Sequence, residues 1–195
     1  SITGNHYENW NWDAFTTGKV SATATDLPQG VYRLNALAFA NLTGGTYLYA
    51  GECQKQVTAI NIDIDQPMEV YAIVTDGKLE IGLDVQVKGP NWIGLDNVYL
   101  YYLGNSAEAY AKLIEETLDA EPDYEAAFAS GEAYCQKSVW EAYGAAKAAF
   151  ENIAADAAQV KAAFIAFNAA SKAVAESKTA YDAYVKKVAE GEDFD

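Results

Sequence analysis

His6, Tyr7, Trp10, Trp12 and Phe15 fall within ten residues of one another near the start of the chain, interleaved with Asn9 and Asn11. An indole or phenol face packs against the C–H face of a pyranose while neighbouring amides bond its hydroxyls, so this mixture can act as a sugar-stacking platform. The same density can equally serve as a cap that plugs one end of a β-sandwich. Trp12 is the first choice for a ligand-binding side chain, with Tyr7, Tyr47, Tyr49 and Trp92 as the other candidates. Whether these rings are exposed separates two functions: a non-catalytic carbohydrate-binding module, or a structural spacer or protein-interaction module with no small-molecule site.

Other chemistries find little to work with. His6 is the single histidine, so no histidine-based catalytic or metal cluster can be assembled within the chain. Asn61-x-Asp63-x-Asp65 begins like a calcium loop, but Ala72 stands where the closing Glu belongs, and Ile60 and Ile62 read as strand residues. No GxSxG elbow, phosphate-cradling glycine loop, HExxH or CxxC occurs. Most of the many carboxylates occupy polar positions of regular helices, where a solvated face explains them, and the chain is read as not an enzyme. Cys53 and Cys135 lie one in each half; they either form a bridge in an exported protein or remain two separate thiols.

The elements that must position these residues change character near residue 104. Leu79, Ile81, Leu83, Val85 and Val87 alternate with polar residues or glycine, the period-2 pattern of a strand with one buried face. The preceding run, 68–75, reaches it through Asp76-Gly77, which predicts a tight turn between two paired antiparallel strands. Residues 91–102 are apolar or aromatic at both alternating positions, and a strand of that kind needs cover on both faces. Strands are also predicted over 20–26, 31–40, 47–50 and 56–63. Seven or so short strands with turn chemistry between them describe an antiparallel β-sandwich.

From Asn105 the period becomes helical. Ser106 can cap a helix to about Leu118 that presents Tyr110, Leu113, Ile114 and Thr117 on one face, and Glu121-Pro122-Asp123 breaks it. Ser138 opens a second helix with Val139, Tyr143, Ala146, Phe150 and Ile153 in a heptad seam. A third carries Val160, Ala163, Phe167, Ala170, Val174, Ser177, Tyr181, Tyr184 and Val188 in unbroken 3, 4 spacing. That phase predicts one helix through Ser177 to about Val188, although Ser177 could instead cap a new helix. The expected architecture is all-β plus all-α: a sandwich over 1–104, then a three-helix-type bundle over 105–195.

TDGKLEIGLDV followed by NWIGLDNVYLYYLG, with Glu8-Asn9-Trp10 and LPQGVYRL upstream, resembles the galactose-binding-like β-sandwich modules (carbohydrate-binding-module-like jelly rolls) of secreted and surface proteins of Bacteroidetes. The resemblance implies a glycan as partner and an extracellular, cell-surface or periplasmic location. It places Trp10 at a structural position, the cap reading, and leaves Trp12 open to either role. In some related modules an acid in the last strand ligates a structural calcium, which makes Asp96 the candidate metal ligand and that calcium the only cofactor implied. VWEAYGAAKAAFENI and AAQVKAAFIAFNAASKAV are similar to the FIVAR-type three-helix modules of bacterial surface proteins.

Composition agrees with a split chain. Of the 195 residues, 1–104 hold 11 of the 14 glycines and 9 alanines, whereas 105–195 hold 27 alanines. The net charge of −15 arises in both halves, without a basic stripe to track phosphates, which disfavours nucleic acid and anionic membrane surfaces as partners. No segment approaches the ~20 consecutive apolar residues of a membrane span. Starting at Ser1 without a signal pattern, the sequence reads as a mature form or a piece of a longer precursor, with other domains of that longer chain as candidate partners.

Overall fold

In Gly30–Ala40, alternation decides which side is core: Tyr32, Leu34, Ala36, Ala38 and Ala40 are buried on one face, while Arg33, Asn35 and Leu37 on the other remain partly exposed. A computed structural model of the chain describes residues 6–41, 44–58, 66–129, 134–153 and 157–190, with only the backbone for 12–15, 66 and 157. It divides into two compact units, Ser1–Ala109 and Tyr110–Asp195.

The first unit is a β-sandwich of two four-stranded antiparallel sheets. Its strands are β1 (Tyr7–Phe15), β2 (Gly18–Ala24), β3 (Gly30–Ala40), β4 (Thr46–Ala50), β5 (Cys53–Gln56), β6 (Gln66–Val74), β7 (Leu79–Val85) and β8 (Gly89–Gly104). One sheet runs β1-β8-β3-β6, and the other β2-β7-β4-β5. Leu34, Met68, Val70 and Ile93 from the first and Leu48, Leu79, Leu83 and Val85 from the second are buried. Burying such side chains contributes about 1.5–3 kcal/mol each, which is the main force holding the sheets together. Asn91 and Thr46 are the buried polar residues among those described, and the Asn91 Nδ2 donates to Thr46 Oγ1 across the sandwich at 3.4 Å.

Two sequence expectations need correction. The strands flanking Asp76-Gly77 do not pair: β6 lies beside β3, and β7 lies between β2 and β4. Gly77 adopts φ 78° as the turn requires, yet the turn carries the chain from one sheet to the other. A tight reversal fixes direction, not pairing, and crossing over lets β6 and β7 bury their apolar faces in the shared core from opposite sheets. The strand expected over 56–63 is instead the short β5, which ends at Gln56; residues 59–65 lie outside those described. Strand β1 had no counterpart in the sequence reading.

The second unit is helical, built from α1 (Ala107–Asp119, which begins in the first unit's last residues), α2 (Tyr124–Ala129), α3 (Lys137–Glu151) and α4 (Ala157–Glu190). Ser106 Oγ accepts the Ala109 N–H at 3.2 Å, and Asp123 Oδ1 accepts the Ala126 N–H at 2.9 Å, so α1 and α2 both have capped starts. Ser138 does not open α3, whose N-cap is Gln136. Ser177 does not begin a new helix either: α4 runs through it, and its Oγ accepts the Gln136 N–H at 2.9 Å, satisfying an otherwise bare donor at the start of α3. Tyr143 and Phe150 of α3 meet Phe164 and Phe167 of α4 in a ring cluster, Phe150 and Phe167 stacking at 5.3 Å. Cys53 and Cys135 are both free thiols.

Candidate functional site

Pairing register shows which side chains share a face, because residues directly opposite in antiparallel strands project to the same side. On the face of the β1-β8-β3-β6 sheet turned away from the core, Trp10 stands opposite Trp92, and Glu8 opposite Gly94. Gly94 in turn stands opposite Phe39, Asp96 opposite Leu37, Tyr99 opposite Asn35 and Tyr101 opposite Arg33. Glu69 and Tyr71 of β6 complete this face beside Asn35 and Arg33.

At one end the ring of Phe39 lies where a Cβ on residue 94 would sit, so only glycine fits there. Trp92 meets Phe39 edge to face at 5.3 Å, and its indole N–H donates to Glu8 Oε1 at 2.5 Å. Glu8 Oε2 also lies 3.0 Å from His6 Nε2. The hydrogen bond with His6, opposed by desolvation and helped by that from Trp92, holds the Glu8 carboxyl below its usual range. Trp10 is 61% exposed above this corner.

At the other end Tyr99 and Tyr101 are 56% and 44% exposed, with ring centres 6.3 Å apart and planes inclined by 34°. The Arg33 guanidinium lies 5.5 Å from the Tyr101 ring centre and 3.8 Å from Glu69 Oε1. Asn35 Nδ2 donates to the same Glu69 oxygen at 2.9 Å. Two exposed rings, that of Tyr101 with the guanidinium over one face, therefore stand beside a carboxylate, an amide and a guanidinium, the groups that bond sugar hydroxyls while rings receive the C–H face.

The candidates named from sequence are not brought together. Trp92 belongs to this face, half-buried. Tyr7 stands opposite Leu95, on the core side of the same sheet. Tyr47 and Tyr49 lie on the other sheet, on β4. Tyr49 is corrected outright: at 3% exposure it has no face to offer a ligand. Its hydroxyl donates to Glu80 at 2.5 Å, Lys19 Nζ lies 4.5 Å from its ring centre, and burial, reinforced by Glu80, pushes its pKa up to about 12. The side chain of Trp12 lies outside those described.

Asp96 occupies a bulge in β8, where its Oδ1 accepts the N–H of Asn97, itself at φ 49°, at 2.7 Å. Among the described residues no group of three or more His, Cys, Asp or Glu side chains is placed to hold a metal, whereas calcium takes six to eight oxygens.

Tyr99 and Tyr101 are the rings that the sequence reading passed over, and Trp10, read there as a cap, is exposed. The signal for the tyrosines was present, since a strand apolar at both alternating positions must be covered or leave rings in water. The outer face of β8 is open at Tyr99 and Tyr101.

No protein-family model and no curated protein matches the chain, so neither the galactose-binding-like nor the FIVAR-type resemblance is extended by a family match. Among solved structures the chain is similar to a carbohydrate-binding module, TmCBM61, determined in complex with β-1,4-galactotriose. The likeness has 18% identity and a TM-score of 0.37, and it covers 50% of this chain and 70% of that one.

Proposed function

We propose that the β-sandwich is a non-catalytic, galactose-binding-like carbohydrate-binding module of a secreted or cell-surface bacterial protein. The glycan lies on the outer face of the β1-β8-β3-β6 sheet. The observation that carries this reading is the pair Tyr99 and Tyr101, exposed side by side with Arg33, Asn35 and Glu69 on the same face. Large rings left in water at the centre of a sheet are a liability unless a ligand covers them.

Affinity electrophoresis through gels containing neutral glucans, galactans, mannans or xylans tests the proposal. At least one polysaccharide should retard the wild-type chain, and the Tyr99→Ala/Tyr101→Ala double variant should lose that retardation while keeping its circular dichroism spectrum. Stacking contributes about 0.5–1.5 kcal/mol per ring, so each single variant should weaken retention roughly two- to tenfold. Unchanged retention in the double variant removes the tyrosines from the site.

The second reading, a spacer or protein-interaction module, is favoured by a different observation. Tyr181, Tyr184, Val185 and Val188 form an exposed apolar stripe on the last turns of α4. If no glycan retards the chain, that reading takes over.

A further inference from the structure

Resting on the glycan-binding reading, we infer that the outer face of the β1-β8-β3-β6 sheet is an open strip for internal units of an extended, uncharged polysaccharide, with an aromatic contact at each end. Trp10 and Trp92 mark one end; Tyr99 and Tyr101 mark the other. Along β3 the strip runs from Phe39 to Arg33, roughly 20 Å at about 3.3 Å per residue. That length spans several sugar units, far more than one terminal residue needs.

The middle of the strip carries no exposed ring among the described residues. Gly94 admits the Phe39 ring into the sheet surface in place of a side chain of its own, and Leu37, Asp96 and Asn35 follow along the two central strands. Rings at the ends with the shorter Leu37, Asp96 and Asn35 between them suit a chain lying along the strip with both ends free. A terminal sugar is instead gripped by a pocket that surrounds it on several sides.

Charge selects the class of polysaccharide. Glu8, Glu69 and Asp96 share the face with Arg33 and His6, and Arg33 already lies against Glu69. With carboxylates in excess here, and a net charge of −15 overall, a uronate or sulfated chain meets repulsion, whereas a neutral one meets donors and acceptors.

A length series of neutral oligosaccharides, two to eight units and cut from whichever polysaccharide retards the chain, is used to compete against that retardation. The concentration needed for half-release should fall by about tenfold or more from the two-unit to the six-unit competitor before levelling off. Trp10→Ala and Tyr99→Ala, at opposite ends, should each flatten the series, whereas Tyr99→Phe, which keeps the ring face, should not. Retention on neutral matrices should persist in high salt and be absent on polygalacturonate. Equal competition by two-, four- and six-unit sugars overturns the strip while leaving glycan binding intact, and so does retention on the polyanion alone. Failure to bind any glycan overturns both.

Discussion

Burial raises the Glu121 carboxyl above its ordinary range despite hydrogen bonds with Ser171 and Tyr143, and its Oε1 has no partner. The folded chain therefore holds that proton more tightly than the unfolded chain. The associated stability is fully present below the unfolded value near 4.5 and is lost as pH rises through the higher folded value. Glu121→Gln should flatten the fall in urea midpoint over that window, and an unchanged slope would assign the fall to other groups. Tyr49 offers a second test, its hydroxyl meeting both Glu80 and Ser21. Tyr49→Phe removes its donation to Glu80, a solvent-exposed acceptor that water can satisfy, so the loss should be about 1 kcal/mol by denaturant titration. Sequence reading went furthest astray at this scale. Tyr49 and Tyr99 sit in equally aromatic surroundings, Tyr-Leu-Tyr and Tyr-Leu-Tyr-Tyr. What separates them is the neighbouring strand: Lys19 and Glu80 close over one, and Arg33 and Asn35 leave the other open.

Elements were more legible than sites. The alternation in 79–87 gives β7, and the heptad phase across Ser177 gives an unbroken α4, because each is a local consequence of which face is apolar. Pairing was less legible. Asp76-Gly77 reports a reversal of direction, whereas the sheet that each strand joins depends on partners forty residues away, such as Arg33 beside Tyr71. β1 was missed although 9–14 alternates polar and apolar residues, because its dense aromatic cluster was read as a cap or a sugar platform rather than as an edge strand. The β8–β3 pair depends on the missing side chain at residue 94. Gly94→Ala should drive the buried Phe39 ring out of place and cost about 1–3 kcal/mol, read from the denaturation midpoint. A neutral result would mean that the ring can rotate away freely.

For the molecule as a whole, the change of period near Asn105 and the shift from glycine to alanine correspond to a β-sandwich followed by helices. Every residue placed on the proposed glycan face belongs to the Ser1–Ala109 unit. A fragment of residues 1–109 should therefore retain the wild-type affinity for any glycan the full chain binds, within about twofold, in the same gel assay; loss of binding by a folded fragment would show that the helical residues contribute. The helical unit has a different kind of boundary, one along its own length. α4 is buried at Val160, Phe164, Phe167 and Val174, yet every residue from Tyr181 to Glu190 is exposed. In amide-exchange terms, the first half of the helix opens only when its ring cluster separates, and the second half frays on its own. Protection factors should drop by orders of magnitude between Ser177 and Tyr181 without any change in helical content, so one continuous helix behaves as two kinetic bodies.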